Sequence, residues 1–163
     1  MNDRRGFLGL AGTAAVSLLI VGRSSASAAN AHFAVSHTPA QWKQLLGAQR
    51  YAVLREAATE RPFSSPLVDE HRKGTFVCAG CALPLFSSAT KFESGTGWPS
   101  FWRPLPRSVV TRADQSLLME RTEVLCARCG GHLGHVFVDG PKPTGLRYCT
   151  NGLALNFRPG SIA

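Results

Sequence analysis

The chain has 163 residues, of which 44% are hydrophobic, and its 18 basic and 10 acidic side chains give a formal net charge of +8. This length favours a single domain, and the high counts of glycine (16) and proline (10) argue against a helical bundle. The basic residues are scattered, with no run of five or more. We therefore expect no nucleic-acid partner.

Residues 1–28 have the layout of an export signal. Arg4 and Arg5 precede an apolar run over 7–21, and small residues at 26–28 offer a cleavage site. The arginine pair resembles the twin-arginine class of signal. An uncleaved anchor is the alternative, but the run is shorter than the ~20 apolar residues of a spanning helix. We expect cleavage, a periplasmic location and no stable membrane association, or a membrane-anchored protein if the signal is retained.

The remaining chain divides into a helical start and a longer region of strands. After a segment at 29–37 that we expect to be flexible, apolar residues recur at three- to four-residue intervals over about 39–58, with Thr38 as candidate N-cap and Gly47 separating two short helices. Later apolar runs are short, β-branched or alternating, and lie between Gly, Pro and Ser clusters. Residues 38–163 are thus predicted to form one mainly β domain.

Four of the five cysteines form two C-x-x-C pairs, Cys78 with Cys81 and Cys126 with Cys129. Two such pairs can supply the four thiolates of a tetrahedral structural zinc site. Disulfides are an alternative in an exported protein. A thioredoxin-like motif is disfavoured because neither pair precedes a helix in a βαβ context. Covalent haem needs a histidine directly after the second cysteine, where this chain has Ala82 and Gly130.

The fifth cysteine, Cys149, lies in the stretch "RYCTN". In an extended strand Arg147, Cys149 and Asn151 share one face, and a neighbouring cation favours thiolate over thiol. A buried, inert cysteine is the alternative. Because an arginine on the same face would be costly to bury unpaired, the pattern favours a reactive cysteine.

Two further segments carry candidate functional groups. The stretch "GGHLGHVFVDG" contains His132, His135 and Asp139, a candidate proton-donor cluster beside the second cysteine pair. The stretch "KFESGTGWPSFWRPL" contains the aromatic residues Trp98 and Phe101, which in a turn-rich loop predict an apolar pocket.

Together with "TERPF", these segments closely resemble the methionine-R-sulfoxide reductases, the B class of peptide methionine sulfoxide reductases, in unbroken order from about residue 38 to the C-terminus. The resemblance implies two antiparallel sheets in a small barrel-like or tent-like fold, with the zinc away from the active cysteine. It implies that Cys149 is the nucleophile with Arg147 and Asn151 beside it. It also implies that Trp98 lines the substrate pocket together with Phe101. Three further residues would hold water or the sulfoxide oxygen and assist protonation of that oxygen: His132, His135 and Asp139.

The chain departs from the family pattern at two places. Many members have a second redox cysteine in "SGCGWPSF", where this chain has Thr96. The resemblance therefore implies a one-cysteine enzyme that forms a sulfenic acid and needs an external thiol, either a thioredoxin-like protein or a small thiol. Gly152 and Leu153 also differ from the common "RYCINSASL" and bear on local pocket details.

The expected reaction is thus reduction of methionine-R-sulfoxide in oxidised proteins or peptides, and in the free amino acid if the pocket admits it, by a monomer. A non-catalytic, zinc-stapled β binding module is the rival interpretation. An enzyme acting on glutathione adducts would leave "RYCTN" beside "GWPSF" unexplained.

Overall fold

A computed structural model describes residues 33–115 and 121–160. Its one α-helix in this part of the chain, α1, spans Pro39–Glu56. Thr38 forms a capping box with Gln41, so that the first free amides of the helix are satisfied. Gly47 has non-helical angles (φ 68°, ψ 171°), which confirms the predicted break and makes α1 a kinked helix of two short segments.

The strands form two antiparallel sheets. The smaller sheet has the order β2-β1-β9 and contains β1 (Gly74–Cys78), β2 (Pro84–Ser87) and β9 (Leu155–Pro159). All five residues of β1 are buried, as expected for a central strand that is covered on both faces.

The larger sheet has the order β3-β4-β8-β7-β6-β5. Its strands are β3 (Lys91–Phe92), β4 (Ser100–Phe101), β5 (Val109–Asp114), β6 (Arg121–Cys126), β7 (His132–Phe137) and β8 (Arg147–Thr150). Over the described ranges neither sheet closes on itself, so the fold is mainly β as predicted but not a barrel.

The hydrophobic core includes aromatic residues from both sheets. The ring of Phe101 stacks on Phe86 with centroids 4.3 Å apart and meets Phe76 edge-on at 4.9 Å. Residues Trp42, Val53 and Leu54 of α1 join this core and are almost fully buried. The helix therefore covers the core beside the sheets.

The segment before α1 packs against the second cysteine pair. Val35 donates its amide hydrogen to the Arg128 carbonyl at 3.0 Å, and the Phe33 ring covers Gly130 so closely that a Cβ there would lie 2.4 Å from it. The described part of the predicted flexible segment, 33–37, is thus docked on the domain. The predicted export signal lies outside the described residues. Within the described ranges, no helix is both long and apolar enough to cross a membrane.

Candidate active site

Cys149 lies on β8, a central strand of the larger sheet. Its cross-strand partners are Ser100 on β4 and His135 on β7. Directly opposed residues of an antiparallel pair point to the same face with Cβ atoms about 4.5–5.5 Å apart. The sheet therefore places the Cys149 sulfur between a hydroxyl and an imidazole.

A β-bulge brings His132 to the same region. Residues three apart on a regular strand point to opposite faces, but the β6–β7 register shifts between Val124, opposite Gly134, and Leu125, opposite His132. The His132 and His135 rings consequently lie with centroids 5.5 Å apart. Alternation along the strand does not predict this pairing.

Gly134 permits the close approach of β7 and β8. A Cβ at this position would lie 2.0 Å from the Cys149 carbonyl oxygen, which no side chain can tolerate. The glycine is therefore required where the strand that carries the histidine meets the strand that carries the cysteine.

Cys149 opens into a cavity of about 220 Å³, whose lining includes Trp98, His135, Phe137 and Asn151. The walls are mainly apolar, with a few polar groups facing inward, as is common for small-molecule sites. Of the two aromatic residues predicted for the pocket, Trp98 lines it and Phe101 does not. Phe101 is fully buried in the core because its neighbour Ser100, not Phe101, shares the face of Cys149.

His135 is held by a carboxylate that is itself held by an arginine. Its Nε2 lies 2.7 Å from Asp114 Oδ2, and Arg121 donates to the same oxygen at 2.8 Å. Burial lowers the pKa of His135, and the hydrogen bond to Asp114 only partly opposes this effect. His135 is therefore a neutral imidazole at neutral pH, fixed in orientation and able to accept a proton.

A second arrangement of the same kind holds His132. Its Nδ1 lies 2.6 Å from Glu123 Oε1, and Arg112 donates to the other carboxylate oxygen. Burial opposes ionisation of Glu123, but the hydrogen bonds from His132 and Arg112 leave its pKa below the ordinary value. The Nε2 of His132 is buried and has no hydrogen-bond partner among the described residues, so it can bind a further polar group.

Asp139 acts on Arg147 rather than lining the cavity. Its side chain is 60% exposed and accepts two hydrogen bonds from the Arg147 guanidinium, at 2.9 and 2.7 Å. The guanidinium lies 4.4 Å from the centroid of the Phe137 ring. Asp139 is thus a positioning residue that fixes the cation near Cys149.

Asn151 joins the end of β8 to Glu60. Its Oδ1 accepts the Glu60 amide hydrogen at 3.0 Å, and its Nδ2 donates to the Leu133 carbonyl at 3.2 Å. The Glu60 carboxylate in turn accepts the amide hydrogens of Gly152 and Leu153, which follow Asn151. The backbone carbonyl of Glu60 accepts the indole hydrogen of Trp98 at 3.2 Å. Glu60 therefore links the pocket tryptophan to the turn after the cysteine.

The environment of Cys149 is more apolar than the sequence suggests. Burial raises the pKa of the thiol, whereas the Thr96 hydroxyl and the Arg147 charge lower it by less. The net direction is opposite to the one that Arg147 alone predicts. In the free protein the sulfur is a thiol at neutral pH and needs a base to become a nucleophile.

The other four cysteines form a separate cluster in which every pair of sulfur atoms lies within 4.8 Å. The distance is 3.7 Å from Cys78 to Cys129 and 3.5 Å from Cys81 to Cys126. A disulfide needs about 2.0 Å, whereas four thiolates around one zinc at about 2.3 Å lie roughly 3.8 Å apart. The cluster therefore fits a tetrahedral metal ion and does not fit disulfides.

Several residues of the site are not among those predicted from the sequence: Glu60, Arg112, Asp114, Arg121 and Glu123. Two of them carry a signal in hindsight. Glu60 lies in the motif "TERPF", and Glu123 is an acid directly before the apolar residues Val124 and Leu125, at the start of the buried part of β6, where a charge without a partner would be costly. Asp114 carries no comparable signal because its role depends on the pairing of β5 with β6.

The fold and the site together have the features of a cysteine-dependent enzyme: a cysteine in an aromatic pocket, imidazoles held by carboxylates, and a separate cluster of four cysteines that fits a metal ion. Comparison with known proteins gives the family. A family model described as the SelR domain matches residues 46–159. The chain therefore belongs to the SelR family of methionine-R-sulfoxide reductases.

Several curated relatives carry the name peptide methionine sulfoxide reductase MsrB. The protein of Bradyrhizobium diazoefficiens is 60% identical over 120 residues, 73% of this chain and 86% of that protein. The protein of Leptospira interrogans is 52% identical over 128 residues, 78% of this chain and 98% of that protein. The protein of Methanosarcina barkeri is 53% identical over 126 residues, 77% of this chain and 89% of that protein. This similarity does not favour a non-catalytic binding module.

Proposed function

We propose that the protein is a peptide-methionine (R)-S-oxide reductase, in which Cys149 reduces methionine-R-sulfoxide to methionine. The observation that carries this proposal is the cavity that contains both Cys149 and His135 beside the Trp98 indole. The indole offers an apolar surface to the S-methyl group of the substrate, and the imidazole offers a nitrogen to the proton that must move.

In the first step the Cys149 sulfur attacks the electrophilic sulfoxide sulfur. Neutral His135 accepts the thiol proton and passes it to the sulfoxide oxygen, which leaves only when protonated. The released hydroxide then attacks the Cys149 sulfur and breaks the sulfur–sulfur bond formed in the attack, so that methionine departs with that electron pair and Cys149 becomes a sulfenic acid. The sum of the two steps is thiol plus sulfoxide giving sulfenic acid plus thioether. His132 does not line the cavity, but its ring lies 5.5 Å from that of His135, and its Nε2, which has no hydrogen-bond partner among the described residues, can hold a water beside the site.

Regeneration of the thiol needs two external thiols, which become a disulfide as water is released. All four remaining cysteines belong to the cluster, and Thr96 faces Cys149 with its hydroxyl 3.9 Å from the sulfur. The sulfenic acid therefore has no second cysteine within the pocket. The reductant is a thioredoxin-like protein or a small thiol, and the enzyme acts as a monomer.

The cluster of Cys78, Cys81, Cys126 and Cys129 holds one zinc ion. With four thiolate ligands the ion has no open position, and it stabilises the fold rather than taking part in the reaction. The amide hydrogen of Gly80 points to the Cys78 sulfur at 3.4 Å, an arrangement that supports a ligating thiolate.

The enzyme is exported and acts on oxidised proteins in the periplasm. This part of the proposal depends on the sequence of residues 1–28, with its arginine pair, apolar run and small-residue cleavage site.

The test is an assay with the separated R and S sulfoxides of a methionine-containing peptide and dithiothreitol as reductant. The wild-type protein is expected to reduce the R epimer and leave the S epimer unchanged. Cys149→Ser should abolish the activity while bound zinc, measured by elemental analysis, stays at the wild-type level. Retained activity in this variant would rule out the proposed nucleophile.

A further inference from the structure

A chain of hydroxyl groups ends at the Cys149 sulfur. Thr96 Oγ1 lies 3.9 Å from Cys149 Sγ and 2.8 Å from Ser94 Oγ. Ser94 Oγ lies 2.7 Å from Ser100 Oγ, and Ser100 Oγ lies 3.1 Å from the Trp98 carbonyl oxygen. The chain thus leads from the nucleophile to the backbone of the residue that lines the substrate pocket.

The number of protons requires this chain to have a direction. A hydroxyl carries one proton and two acceptor sites. Ser94 Oγ has three neighbours, since it also accepts the Thr96 amide hydrogen at 3.4 Å. One of its two hydroxyl neighbours must therefore donate to it while the other accepts from it.

The two possible directions correspond to the two protonation states of the sulfur. When Thr96 donates to Ser94, the protons run toward Trp98, and Thr96 can only accept a hydrogen bond from a Cys149 thiol. When Ser94 donates to Thr96, the Thr96 hydrogen is free to point at a Cys149 thiolate. The Trp98 carbonyl then loses the hydrogen bond from Ser100.

We propose that Thr96 is a catalytic residue that accepts a hydrogen bond from the Cys149 thiol and donates one to the thiolate, with the direction of the Ser94–Ser100 chain reversing between the two states. The chain ends on a backbone carbonyl, which takes no proton. It therefore reorients without carrying the proton away, and the proton exchange remains with His135.

The hydrogen bond from Thr96 would stabilise a thiolate that burial of Cys149 destabilises. Burial is the main influence on the pKa of Cys149 and disfavours its thiolate, whereas the hydrogen bond from Thr96 and the charge of Arg147 favour the thiolate. Ser100 is 1% exposed, so this part of the chain is shielded from bulk water. Its position opposite Cys149 in the β4–β8 pairing fixes it there.

The proposal rests on the proposed function for its meaning, but its test uses no sulfoxide. The test is the rate of alkylation of Cys149 by iodoacetamide in the metal-loaded full chain, followed by mass spectrometry of the Cys149 peptide across pH. Only the thiolate reacts, so the rate reports the thiolate fraction. A protein that is no reductase would still show the predicted pattern, and a reductase without the chain would not.

The variants are expected to act in opposite directions. Thr96→Val keeps the shape but loses the donor, and it should slow alkylation at neutral pH by about threefold or more. Ser100→Ala removes the group to which Ser94 donates when Cys149 is a thiol. Ser94 can then donate to Thr96 instead, which favours the thiolate, so alkylation should be faster. Thr96→Ser, the conservative control, should remain within about twofold of wild type.

An unchanged rate in Thr96→Val, with zinc content and melting temperature as in wild type, would overturn the role of Thr96. A slower rate in Ser100→Ala would overturn the reversal of the chain. Because Ser100→Ala keeps the buried backbone and removes one oxygen, its melting temperature checks that the fold is intact.

Discussion

The groups around the Cys149 sulfur come from four strands and from the loop that carries Thr96. Cys149 is supplied by β8, His135 by β7 and Ser100 by β4, whereas Asp114, at the end of β5, acts through His135. Each group is fixed by a hydrogen bond or a strand pairing before any substrate binds. Such preorganisation lowers the free energy needed to reach a reactive geometry.

The protonation state of Cys149 leads to a prediction at this scale. Its pKa is raised by burial, so the thiol form predominates at neutral pH and the thiolate fraction increases as the pH rises toward the elevated pKa. Alkylation by iodoacetamide should therefore be slow at pH 7 and should accelerate about tenfold per pH unit below the pKa. A plateau that is already reached below pH 7 would contradict this expectation.

At the scale of elements, the pairing of β7 with β8 determines whether the site exists. The bulge on β6–β7 brings two imidazoles together, and Gly134 allows their strand to lie against the cysteine strand. These two features place two imidazoles beside the strand that carries Cys149.

Gly134→Ala is expected to damage this pairing. Its Cβ would lie 2.0 Å from a backbone atom that cannot move without breaking the sheet, and the loss of stability should exceed the about 1–3 kcal/mol of ordinary overpacking. Gly145→Ala is the matched control, since Gly145 also has positive φ (+70°) but no atom within 4 Å of a Cβ, and it should cost only the about 1–2 kcal/mol of a left-handed backbone. Thermal unfolding measures both, and equal destabilisation would show that the contact is not decisive.

Much of this arrangement can be predicted from sequence. The two C-x-x-C pairs predict the four-sulfur cluster, because their spacing alone constrains the geometry. Alternation correctly places Arg147 and Cys149 on one face. It fails for His132, because a bulge is a property of the β6–β7 register. The expectation that an aromatic residue of a turn-rich loop lines the pocket holds for Trp98 and not for Phe101, because Phe101 lies on β4 and faces the core.

At the scale of the whole molecule, the cluster of four cysteines connects the two sheets. Cys78 ends β1 of the smaller sheet and Cys126 ends β6 of the larger one, and a turn after each strand carries the second cysteine of the pair. A metal ion bound by all four would close a long loop of chain. The contribution of a bound ion to stability would therefore extend over both sheets.

Cys126→Ser is expected to lose bound zinc and to lower the melting temperature markedly, because the free energy of binding a structural metal contributes to folding. Elemental analysis and a thermal melt measure these two effects. Cys149→Ser is the control and should keep both properties. If Cys126→Ser kept its zinc or melted like wild type, the assignment of the cluster would be wrong.

The most direct measurement of the central claim is a single turnover without reductant. One equivalent of R-sulfoxide peptide should yield one equivalent of methionine peptide, and mass spectrometry should then find one added oxygen atom on Cys149 as a sulfenic acid that a dimedone-type reagent traps. The S epimer should leave the protein unmodified. Methionine formation with Cys149 unoxidised, or with the oxygen on a cluster cysteine, would contradict the account.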